Sequence, residues 1–295
     1  MILLTIILAL AILYYRAPLL SLQSDSWFST WLIRVSSCSA VAKIPAGRLL
    51  LALGLPAVGL WLLVDLLAAM PVFFLLAVEL TVLLYSFGRG DLRTELKTLQ
   101  ADLRRGDIQT AFHSAEMLSA DKHKIVAFAL PGFAQELRQR IAYAYFERYL
   151  AVVFWALMGG VTGALLYRLS VLYRSSLVSS VSQSVAGDAS FAGYLQLRTA
   201  SRWLALLEWL PLGLAGFTLA LVGQFGAGLA RWLTRWCSGR SSVRILRDYT
   251  EDALGYPGGS DTAATDIAVS CAQIEVLFKR VLIVWLCLLA LWHIL

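Results

Sequence analysis

The chain has 295 residues, of which 59% are hydrophobic and only 15% charged, where an ordinary soluble domain carries about 25% charge. So apolar a composition excludes a soluble enzyme and points to an integral membrane protein, with lipid as its main apolar surroundings. The 25 Lys/Arg against 19 Asp/Glu leave a net charge of +6, but no basic block is interleaved with aromatics, so the excess reads as membrane topology and not as nucleic-acid binding.

Residues 1–22 form the first predicted element, an uncharged run from Met1 to Tyr15 extended past Arg16 to about Leu22, just long enough to cross lipid if Arg16 snorkels. A signal peptide is the rival reading; the run lacks a basic start and its small-x-small triplet, Ala9-Leu10-Ala11, lies inside it, which favours a retained span. Residues 47–87 read as a transmembrane helical hairpin broken at Met70-Pro71 and interrupted only by Asp65 and Glu79.

Residues 88–148 are too charged for lipid and are predicted to be a cytoplasmic helical domain. Leu92, Leu96, Leu99 and Leu103 share a face, Gly106 stops that helix, and Asp107 caps a second carrying Ile108, Ala111, Phe112, Ala115 and Leu118. A third amphipathic helix, 133–148, should run straight into a span at 149–167. A weakly charged Ser/Val-rich stretch follows to Arg202, then a span at 203–223 containing Glu208 and Pro211, a cytoplasmic region at 226–275, and a C-terminal span at 276–295. The expected fold class is therefore all-α, a polytopic helical membrane protein with five or six spans. In the six-span arrangement the segments 16–48, 88–148 and 226–280 share one side and hold 21 of the 25 Lys/Arg; the positive-inside rule makes that side cytoplasmic.

Chemistry is sparsely signalled. Cys38, Cys237, Cys271 and Cys287 are scattered without zinc or disulfide spacing, and His113, His123 and His293 form no metal or triad pattern. Gly88-Arg89-Gly90 is not a phosphate-cradling loop. No catalytic residue, metal site or cofactor is assigned. Glu79, near mid-span, is an intramembrane acid that should face protein or water; it is either an ion or ligand contact or a protonated acid hydrogen-bonded to a neighbouring helix. Ala156, Gly160 and Ala164, with Gly159 and Gly163, recur at four-residue spacing and suit close helix packing, within the protein or between copies of it; the alternative is that the glycines open the backbone to a ligand.

Glu147-Arg148-Tyr149, the run Phe154-Trp155-Ala156-Leu157-Met158-Gly159-Gly160, and Gly163-Ala164-Leu165-Leu166-Tyr167-Arg168-Leu169 together resemble the AmpE family of bacterial inner-membrane proteins, itself similar to the CobD/CbiB cobinamide-phosphate synthases. The likeness extends to the N-terminal span, the hairpin, the Gly106-Asp107 turn, Leu207-Glu208-Trp209-Leu210-Pro211 and the last span. Most polar elements of the synthases are replaced: Leu118-Ser119-Ala120-Asp121-Lys122-His123 stands for an Arg-Asp-Thr stretch, Leu169-Ser170-Val171-Leu172 for Asn-Thr-Leu-Asp, and Leu212-Gly213 where Ala-Arg would follow the proline.

What the resemblance implies is a multi-pass inner-membrane regulatory protein linked to β-lactamase induction, to cell-wall recycling and to the amidase AmpD, on a degenerate synthase frame. Glu147, Glu208, Arg168 and Tyr167 would then line a remaining polar pocket for a wall fragment or nucleotide. A membrane amide ligase and a transporter of a wall fragment are the alternatives.

Overall fold

The computed structural model describes residues 2–15, 25–37, 44–88, 92–118, 130–183, 191–255 and 264–294. Cys38 and His123 lie outside them, as do residues 16–22 of the first expected span. Among the described residues the chain is helical, with no strand. It divides into two compact units, residues 1–90 with 152–207, and residues 91–151 with 208–295.

The first unit starts with α1 (Ile2–Tyr15) packed on α4 (Val72–Ser86), the second arm of a hairpin whose first arm is α3 (Pro45–Leu67). Met70-Pro71 separates the arms, because proline cannot continue a helix and disfavours helical backbone in the residue before it. α2 (Ser26–Ser37) lies against α3, and its stripe of Phe28, Trp31, Leu32 and Val35 supplies the contact. The unit's core joins Phe28, Leu49, Ala52, Leu53 and Tyr85 to Val161, Leu165, Leu169 and Tyr173.

α8 (Ala151–Gln183) and α9 (Phe191–Val222) occupy much of the stretch 168–202 expected to be a linker between spans. The serines there do not break α8, because Ser170, Ser176, Ser179, Ser180 and Ser182 donate to carbonyls three or four residues back, at 2.7–3.0 Å. Such bonds to the preceding turn satisfy the hydroxyl inside a continuous helix, though they weaken and bend it slightly.

In the second unit α5 (Leu92–Arg105) and α6 (Ile108–Leu118) form the expected αα-hairpin. Gly106 turns left-handed at φ 75°, and the Asp107 carboxylate caps α6 by accepting the Thr110 N–H at 3.1 Å and its hydroxyl at 2.7 Å. Those bonds hold the Asp107 carboxyl below its usual range. α7 (Leu130–Tyr145) passes through a π-helical turn, Phe146–Leu150, into α8 without a loop. α10 (Phe225–Trp236), α11 (Ser242–Leu254) and α12 (Ala264–Ile294) complete the unit. Ile267, Cys271, Ile274, Phe278, Val281 and Trp285 form the buried stripe of α12, which packs on α5 and α7.

Three helical stretches among the described residues are long and apolar enough to cross a membrane, Pro45–Leu67, Leu130–Ser182 and Ala192–Val222; Ile2–Leu13 and Val72–Ser86 are shorter apolar helices.

Candidate functional site

The polar residues singled out in the sequence fall into both units. In the second, Glu208 is buried on α9, and its Oε1 accepts the Tyr143 hydroxyl at 2.7 Å. Glu147, also buried, stands one turn beyond Tyr143, inside the π turn. A π turn inserts one residue into the helical repeat, rotating the side chains on either side relative to the regular ladder, and such turns recur at functional sites. Arg148 in the same turn is fixed by Glu95 Oε2 at 3.0 Å and by the Leu118 carbonyl at 3.3 Å. Two buried carboxylates on these two helices, one held by a phenol, can accept hydrogen bonds from a ligand's hydroxyl or amide groups.

In the first unit Arg168 is buried, its Nη2 3.7 Å from Asp25 Oδ2, and Asp25 Oδ1 accepts the Tyr85 hydroxyl at 3.2 Å. Gly88 closes this cluster. Its φ is +87°, and a Cβ there would sit 3.1 Å from Arg168 Nη1, so a side chain is disfavoured both by backbone and by space. Tyr167 is fully buried beside it. Glu79, half-buried, accepts the Thr5 hydroxyl of α1 at 3.2 Å.

The glycine-rich segment has a different geometry from the continuous helix its spacing suggested. Gly159 (φ −120°, ψ 15°) and Gly160 (φ 64°, ψ −164°) leave helical backbone and break α8. Past the break the chain returns so closely that a Cβ on Gly163 would lie 2.6 Å from the Trp155 carbonyl oxygen. A Cβ on Gly159 meets nothing within 4 Å. Ala156 and Ala164 are fully buried and do pack. Gly160 and Gly163 thus serve the break itself, one by its backbone and one by its lack of volume.

A family model described as "Regulatory signalling modulator protein AmpE" matches residues 1–295. The chain belongs to the AmpE family. No curated protein and no solved structure matches it. A regulatory role and a membrane protein are what the AmpE assignment and the apolar helices support. In this AmpE-family chain, sequence reasoning missed Tyr143, Asp25, Tyr85 and Thr5, the partners of its polar residues. Tyr143 carried a signal, being four residues before Glu147 on one helical face; nothing in the sequence joins Asp25 to Arg168.

Proposed function

We propose that this AmpE-family protein is a multi-pass modulator in the bacterial inner membrane that couples cell-wall recycling to β-lactamase induction, acting with the amidase AmpD in one response. Five or six spans carry it, with 88–148 and 226–275 on the cytoplasmic side, and its frame derives from that of the CobD/CbiB synthases. The ligand is a wall fragment or a nucleotide, contacted by Glu147 and Glu208 of the second unit. The observation that carries the regulatory reading is the regulatory signalling modulator family match along the whole chain. The buried pairing of Glu208 with Tyr143 supports assigning the acids to recognition.

The test is β-lactamase induction in a strain lacking the gene, complemented with the natural chain or with Glu147→Gln or Glu208→Gln. Altered induction at unchanged protein level is the expected result. Unchanged induction in the deletion strain would remove the regulatory reading, and rescue of a strain lacking cobinamide-phosphate synthase would replace it with the ligase.

A further inference from the structure

Beside α3 in the first unit lies an open groove of about 490 Å³, lined by Trp27, Thr30, Trp31 and Arg34 of α2 and by Leu55 and Pro56 of α3. Its shape follows from one backbone defect. Pro56 has no N–H, so the Ala52 carbonyl loses its helical donor, and the Trp31 indole N–H supplies one at 3.1 Å. That bond fixes Trp31 as one wall while Pro56 and Leu55 form the opposite one.

The two ends of the groove differ in chemistry. Arg34 in the last turn of α2 is exposed and lines the groove, whereas Arg48 in the first turn of α3 is half-buried and donates to Gln196 Oε1 at 3.0 Å. Asp25, the carboxylate at the other end of α2, is engaged by Arg168 and Tyr85. From Leu55 of the groove, Val58, Leu62 and Leu66 follow as exposed residues on the same side of α3. At 1.5 Å per residue that stripe runs about 16 Å, enough to lie along much of an acyl chain.

We infer that this groove is a binding site for one anionic phospholipid, its acyl chain along Leu55 to Leu66, its glycerol region between Trp27 and Trp31, and its phosphate at Arg34. Three features select this occupant. The walls are aromatic and amphipathic, as at a membrane interface; the guanidinium stands at the mouth of a groove beside a helix long and apolar enough to span lipid; and a basic pocket next to a span attracts an acidic head group. A soluble phosphate would leave the apolar stripe unused, and a zwitterionic lipid would gain less from Arg34, because its own ammonium stands beside its phosphate.

Native mass spectrometry of the full chain, released from mixed micelles holding equal phosphatidylglycerol and phosphatidylcholine of the same acyl chains, tests this. The natural chain should retain phosphatidylglycerol preferentially. Arg34→Gln should lower that preference roughly three- to tenfold, the size of one charge-assisted contact at a partly open site, while Arg34→Lys should keep most of it. Helix content and melting temperature, measured alongside, should match the natural chain in both variants. Equal retention of the two lipids, an unchanged preference in Arg34→Gln, or displacement of the bound lipid by glycerol 3-phosphate would each overturn the assignment. So would a retained molecule of another class, such as an isoprenyl phosphate.

Discussion

The indole N–H of Trp155 points at the backbone carbonyl of Leu207, 3.2 Å away, and Leu207 is the residue that Pro211 leaves without a helical donor. Trp31 does the same for Ala52 below Pro56. Where lipid surrounds a helix no water can satisfy a freed carbonyl, so a proline inside a span needs a substitute donor from the protein. In this chain two tryptophans provide it, and each bond also fixes how the donor helix packs.

Removing the donor should therefore be costly only while the proline is present. Trp155→Phe keeps an aromatic ring, though a smaller one, and orphans the Leu207 carbonyl, for a loss of about 1–3 kcal/mol from the carbonyl. Pro211→Ala restores an N–H and should absorb much of that loss. Thermal unfolding of both single variants and the double variant in detergent would measure the coupling; strictly additive effects would show that Trp155 acts through packing alone.

The three glycines of α8 should differ in tolerance. Gly160→Ala puts a side chain on backbone at φ 64°, ψ −164°, a region reserved for glycine, and should cost on the order of 1–3 kcal/mol. Gly163→Ala drives a methyl into the Trp155 carbonyl and should also lower stability. Gly159→Ala enters open space at negative φ and should be tolerated. Protein abundance and melting temperature would rank them, and a continuous helix through this region would reverse the order of Gly159 and Gly160.

Topology can be read from cysteines. Cys237 is exposed and Cys271 fully buried. In the proposed cytoplasmic placement, Cys237 should resist a membrane-impermeant maleimide in intact cells and react once they are permeabilised, whereas Cys271 should react only after denaturation. A Cys237 labelled in intact cells would invert the topology.

The cap of α6 should make part of the stability pH-dependent. The Thr110 hydroxyl, and then the Thr110 N–H, favour ionised Asp107 in the folded chain, so its pKa is lowered relative to the unfolded state. The cap's contribution is then complete above the ordinary aspartate value of about 3.9 and is lost as the pH falls through the lower folded value. The melting-temperature gap between the natural chain and Asp107→Ala should be open at pH 7 and narrow below pH ~3.9. A gap constant across that range would show the cap to be independent of charge.

The composition already required a helical membrane protein, and local signals placed several boundaries. Proline at 71 and glycine at 106 act within a few residues of themselves, so the hairpin break and the α5–α6 turn were legible. The helical path through the serines of α8 was less so, because a serine's preference depends on whether its hydroxyl turns back to its own helix.

What the sequence determined by itself is the all-helical class, its abundance of apolar segments and the caps that end them, since periodicity and turn chemistry are local. Only the tertiary structure decided which partners the polar groups take: Tyr143 for Glu208, Asp25 for Arg168, Thr5 for Glu79, and a tryptophan for each carbonyl freed by a proline. Those pairings join residues 65, 143, 74, 21 and 52 positions apart. A lone Glu, Arg or Trp in an apolar helix announces that it needs a partner, because burying it unsatisfied is costly, but the partner's identity depends on how the helices cross. The same holds for the glycine break, where four-residue spacing fits both a packed helix and a broken one, and the carbonyl of Trp155 closing on Gly163 distinguishes them.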